Sequence, residues 1–178
     1  SYNWKKSQLG VVLDYNRSYV KWTRENRYAY KLQNEEITRV ESGIPTLYND
    51  QTLKASVKYT LSDSDRYLFS ATLRNSLNDV PNQFSDRQGY AITSNLEEKI
   101  FFQDFSTWKE NIPSMDLYYQ YKLKNKQLLI FNVVGTFIKS QNTHSYKEYQ
   151  NEAAISETVS HIDGKKKSLI AEAVYEKE

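Results

Sequence analysis

Few residues in this sequence have the types and spacing that chemistry needs. The chain has two histidines and no cysteine, which removes thiolate nucleophiles, disulfides and sulfur-ligated zinc. His144 and His161 stand 17 residues apart, one in a segment expected to be a loop and one near a strand end. Neither has a carboxylate at a recognisable ligand spacing, so both read as surface histidines and no metal site is expected. Ser160, His161 and Asp163 are triad residue types, yet neighbours in a strand point to opposite faces and cannot converge on one nucleophile. Glu35–Glu36 and Glu97–Glu98 are paired acids. A glycosidase needs its carboxylates facing each other across a sugar, which adjacent loop residues do not do. Gly10, Gly43, Gly89, Gly135 and Gly164 form no phosphate-binding pattern. Gly135 lies on an apolar face and is expected to mark a bend or a close backbone contact. No catalytic residue and no cofactor site is assigned, and the expectation is a protein that is not an enzyme.

Charge adds little to this inventory. The formal net charge is +2, and the basic residues gather only at Lys165–Lys167, so nucleic acid is not an expected partner. That run reads as a solvated turn. The longest purely apolar run is Leu128–Phe131, far short of the roughly 20 residues of a spanning helix. The opening Ser1–Lys6 has no apolar core, so no signal peptide is expected there. What stands out is 15 tyrosines among 178 residues.

The elements that would position these residues are strands. From Leu53 to Leu61 the odd residues Leu53, Ala55, Val57, Tyr59 and Leu61 are apolar and the even ones polar, the period-two pattern of a strand with one wet face. Ser62–Asp65 then favours a tight turn. Tyr67, Phe69, Ala71 and Leu73 return on the apolar face, completing a hairpin. A second hairpin pairs Leu117–Leu123 with Leu129–Phe137 through Lys124–Lys126. A third is expected to turn at Asp163–Gly164, with Lys165–Lys167 completing the turn and Leu169, Ala171, Ala173 and Tyr175 beyond it. With Leu9, Val11, Leu13 and Tyr15 in phase near the start, the reading is all-β: an antiparallel meander of about seven strands. Residues 1–178 form one segment.

Connections are expected to alternate between short and long. The long ones are polar and cover roughly Lys31 to Gln51, Leu77 to Pro113 and Asn142 to Ala153. A meander built this way carries tight turns on one rim and long loops on the other, which is the plan of an outer-membrane barrel. Tyr59, Tyr67, Tyr119, Tyr121 and Tyr175 lie on apolar faces near short turns, where an interfacial girdle belongs. On this reading Lys54, Lys58, Arg74, Gln120 and Lys122 face water, while Leu53, Val57, Phe69, Leu73, Tyr119 and Phe131 face lipid. Periodicity alone equally fits a soluble β-sandwich displaying loops toward a polysaccharide or a protein. Ligand contacts, if made, belong to the aromatic-rich long segment, with Phe84, Tyr90 and Trp108 as candidates.

Three stretches carry a family resemblance: Pro113–Leu123 with Leu128–Lys139, Gly164–Lys177, and Asn78–Asn82 through Ser85–Arg87. They resemble the barrel of TonB-dependent outer-membrane receptors, in the nutrient-uptake branch of Gram-negative bacteria. The resemblance implies a 22-stranded barrel in the outer membrane, closed by a plug and importing a scarce nutrient with energy delivered by TonB. About seven strands would be a fragment of such a wall, and neither a plug domain nor a TonB-contacting segment is expected in this chain. Lipid is then the main partner, with TonB engaged through an N-terminal region of the parent. An isolated fragment is expected to self-associate through its open sheet edges.

Overall fold

The computed structural model describes residues 2–4, 6–32, 35–63, 66–94, 96–124 and 127–177. Its ten strands form one antiparallel sheet: β1 (Tyr2–Trp4), β2 (Ser7–Trp22), β3 (Glu25–Leu32), β4 (Glu35–Gly43), β5 (Thr46–Asp63), β6 (Tyr67–Asn82), β7 (Arg87–Thr93), β8 (Leu96–Lys122), β9 (Gln127–Gln150) and β10 (Ala153–Lys177). The all-β meander is therefore present, and both of the first two predicted hairpins are in register, with Val57 opposite Leu73 and Leu117 opposite Val133. The sheet is not closed into a barrel.

Several expectations are corrected. The three segments read as long loops are strand: β3 with β4 and the start of β5, then the end of β6 with β7 and the first half of β8, and lastly the end of β9. Short turns consequently lie at both ends of the sheet. Asp163–Gly164 is not a turn but the middle of β10, opposite Gln141 and Ser140. The reversal sits instead at Asn151–Glu152, whose φ angles of 49° and 66° are the left-handed pair of a two-residue hairpin turn. Of the two other predicted turns, Ser64, Asp65, Asn125 and Lys126 lie outside the described residues. Gly135 marks no close backbone contact, since an added Cβ would meet its neighbours, the Ser168 carbonyl oxygen included, only at 3.6 Å and beyond.

The strand pairings reveal a simpler plan than ten elements. β2 and β3 are separated only by Thr23–Arg24, and β4 and β5 only by Ile44–Pro45. β6 and β7 both pair with β8, in one continuous direction, on either side of 83–86. Each couple is one long strand with a break. Pro45 explains its own break, because it brings no N–H to the ladder. At the neighbouring break the Asp86 N–H reaches the Gln83 carbonyl at 3.0 Å, a tight turn inserted in the strand. β8, with 27 residues, runs unbroken past these breaks for about 90 Å at ~3.3 Å per residue.

Candidate functional site

Residues directly paired in an antiparallel ladder share a face, so the registers sort the side chains without ambiguity. Across β6, β8, β9 and β10 one row reads Tyr67, Tyr121, Leu129, Tyr175. The next rows on that face, now including β5 and β2, are Leu61, Phe69, Tyr119, Phe131, Ala173; then Leu9, Tyr59, Ala71, Leu117, Val133, Ala171; then Val11, Val57, Leu73, Met115, Gly135, Leu169. Two further rows become mixed, ending with Tyr15, Leu53, Leu77, Asn111, Lys139, Lys165. Beyond them the face is polar: Arg17, Gln51, Asp79, Lys109, Gln141, Asp163. We call this the outer face.

The outer face carries a continuous apolar band, and it is uncovered. Val11 is 63% exposed, Leu73 56% and Leu169 72%. Its apolar rows run from Tyr121 to Met115 along β8, about 20 Å, and the two mixed rows extend the stretch to Asn111, about 33 Å in all. Six strands about 4.8 Å apart give the apolar rows an area on the order of 500 Å², at the upper end of what soluble monomers expose. Rings gather at its turn end, where Tyr119 stacks on Tyr121 and Phe131 with centroids 6.4 and 6.5 Å apart.

The other face is mostly polar, with rows such as Gln8, Thr60, Ser70, Tyr118, Asn132, Glu172. Toward β9 and β10 it also carries Ile130, Val134 and Ile170. The expected division therefore appears as a division of faces: Leu53, Val57, Phe69, Leu73, Tyr119 and Phe131 share the outer one, and Lys54, Lys58, Arg74, Gln120 and Lys122 share the inner one. Ile37, Val80, Ala91, Ile100 and Phe102, the buried apolar side chains among the described residues, are all on the inner face.

Beyond the band, the inner face holds a charged network that joins five strands. Glu41, nearly buried, accepts from Arg39 at 3.1 Å and from Arg87, and is also approached by Asn26 and Tyr28. Arg87 continues to Asp104 at 3.1 Å, with its guanidinium 5.4 Å over the Phe102 ring. Asp104 meets His144 Nε2 at 2.7 Å. Arg39 also reaches Glu148 at 3.1 Å, and Tyr146 donates to the same carboxylate at 2.6 Å. Burial and that bond push the Tyr146 phenol up to about 12. Arg39 and Glu148 belong to β4 and β9, which are three strand spacings, or about 14 Å, apart in a flat sheet. Their side chains nevertheless meet at 3.1 Å across β7 and β8, so the sheet curls toward this face here. Each of the two arginines bridges two of the three carboxylates, and His144 closes on Asp104. The network knits the extension together and leaves no unpaired cation for an anionic ligand.

The strand breaks form a packed corner between band and extension. Phe84 stacks on Trp22 at 4.7 Å and meets Tyr48 edge-on at 5.9 Å. Asp86 is 1% exposed and accepts from the backbone N–H groups of Gln83 at 2.8 Å and Ser106 at 2.7 Å. Burial outweighs those bonds and lifts its carboxyl to about 6.

The three candidate ligand aromatics do not converge. Phe84 is in the corner, Trp108 faces inward opposite Val80, and Tyr90 lies on the outer face against Phe101 at 5.4 Å, with the Lys99 ammonium 3.8 Å above its ring. Both histidines lie inside strands rather than in a loop or at a strand end. His161 is 3.3 Å from Asp163 on the outer face, and Ser160 is on the inner one. His144 has Ser106 as its direct cross-strand neighbour, yet among the described residues no serine hydroxyl bonds its ring, so the Asp104–His144 pair has no nucleophile. No three metal-ligating residues cluster among the described residues. The side chains of Glu35, Glu97 and Glu98 lie outside the described residues. The network and the corner were missed from sequence, because their members are scattered over five strands and share no local spacing. No known family model matches the chain, and no curated protein matches its sequence.

Proposed function

We propose that this chain is part of the wall of a TonB-dependent outer-membrane receptor, a transporter for nutrient uptake. The outer face meets lipid and the inner face lines the lumen. One observation carries the reading: four successive rows of apolar side chains across the long strands, with tyrosines at their turn end, lie unburied and are backed residue for residue by a mostly polar face. A β-sandwich would bury such a band against a second sheet, and among the described residues no second sheet packs on it.

The strands outrun the membrane by about as much again, so the extension stands clear of it as stiff hairpins braced by the Glu41–Arg87–Asp104 network. A nutrient would be met there, on the inner face near Trp108 and the Phe84 corner. The chain's role is architectural and not catalytic. In such receptors the plug and the TonB contact are N-terminal to the wall.

The test is made on the intact protein: fractionate the cells, then run the outer-membrane extract on a detergent gel with and without boiling. A band in that fraction that shifts on boiling is the expected result. A soluble protein with no shift would overturn the reading.

A further inference from the structure

On the outer face the apolar band does not end evenly. At its extension side, Lys139 of β9 is directly opposite Lys165 of β10. Like charges placed opposite each other in a ladder destabilise it. Lys109 lies one row further on, and Lys167 one row nearer the band, its ammonium 5.6 Å from the Phe137 ring. The acids on this part of the face are Asp79, 3.8 Å from Lys109, and Asp163, which pairs with His161 and feels the Lys139 charge. Among the described residues no carboxylate lies within salt-bridge distance of Lys139, Lys165 or Lys167.

A shallow, open groove in the band reaches Lys167, one row short of Lys139 and Lys165. It is lined by Leu73, Pro113, Met115, Phe137 and Lys167, and its floor is Gly135. A Cβ there would meet Leu169 Cδ1 at 3.6 Å and both Met115 Cε and the Ser168 carbonyl oxygen at 4.0 Å, so neither packing nor backbone conformation requires glycine. Its effect is to leave a shallow gap among the side chains of Leu73, Met115, Phe137 and Leu169.

We propose that this is a binding site for one lipid with a phosphorylated headgroup, its phosphate held by Lys139 and Lys165 with Lys109 and Lys167 flanking, and one acyl chain in the Gly135 groove. The inference rests on the membrane-wall reading. On that reading the Lys139–Lys165 row falls at the depth where a headgroup begins, and the anion relieves the Lys139–Lys165 repulsion. A free phosphate would not use the groove.

The experiment is native mass spectrometry of the intact protein in dodecyl maltoside micelles doped with phosphatidic acid or, separately, phosphatidylcholine of the same chains. The wild type is expected to retain one phosphatidic acid at least tenfold over phosphatidylcholine. The Lys139→Gln/Lys165→Gln double variant loses that preference. Gly135→Leu fills the groove and lowers retention several-fold, with the boiling-dependent gel shift intact in both variants. Equal retention of the two lipids overturns the proposal, as does a preference that survives the double variant. So does full displacement by millimolar inorganic phosphate, which would mark a plain anion site. A protein that shows the gel shift but retains no phosphatidic acid refutes this site alone. A protein soluble without detergent refutes the wall reading beneath it.

Discussion

At the scale of single residues, the two faces make opposite demands at adjacent positions. Val57 is in the middle of the outer band and Lys58 is opposite Thr72 on the inner face. Val57→Arg is expected to cost about 2 to 4 kcal/mol in a lipid-bilayer folding assay, while Lys58→Arg is nearly silent; equal costs would contradict the assignment of faces. In the extension, Glu41 is buried between two arginines. Glu41→Ala leaves both partly unpaired, and a loss of about 3 kcal/mol in denaturant titration is expected. Asp86 supplies a pH dependence. Its folded carboxyl titrates at about 6, above the ordinary 3.8, so its contribution is full below pH ~4 and is lost as pH rises through about 6. The loss is on the order of 2 to 3 kcal/mol. Asp86→Asn removes that dependence, and the difference in unfolding midpoint between the two proteins, measured from pH 4 to 7, checks it.

At the scale of elements, the sequence was legible where a strand has one apolar face. Leu53–Leu61 and Tyr67–Leu73 alternate because the sheet there has one apolar and one polar face. The same chain positions further along, Arg39, Glu41, Arg87, Asp104 and Glu148, also point to the inner face, but their partners there are charges. Apolar and charged residues then mix on both faces, with Ile37, Ala91, Ile100 and Phe102 on the inner one and Tyr90, Ile92 and Phe101 on the outer, so period two vanishes from the hydrophobicity and strand reads as loop. The misplaced third turn has a different cause. Asp163–Gly164 is a hairpin signature, yet Gly164 serves a close approach inside the ladder, where a Cβ would come within 2.5 Å of Ser140 Oγ. The real turn at Asn151–Glu152 carries no glycine. Glu152 adopts a φ of 66°, so Glu152→Gly is expected to raise stability by about 1 kcal/mol. Inserting a short flexible peptide between 151 and 152 should be tolerated, whereas the same insertion between 163 and 164 breaks the β9–β10 ladder. The amount of folded, heat-shifting protein distinguishes the two sites.

At the scale of the whole molecule, the sheet is a wall with two free edges, and β10 alone offers 25 residues of unpaired backbone on one side. Neighbouring strands are the natural cover for such edges. The resemblance to a receptor barrel supplied that idea, and the registers supply what alternation could not: six long strands whose apolar rows line up at one height. The central claim, that the odd-numbered side chains of this height face lipid, is open to direct measurement because the chain has no cysteine. A fluorophore attached to Leu73→Cys or to Thr72→Cys in the intact, membrane-embedded protein is exposed to acyl chains carrying a quencher. Strong quenching at 73 and little at 72 is the expected result. Equal quenching at the two positions, or quenching at 72 alone, would contradict the account.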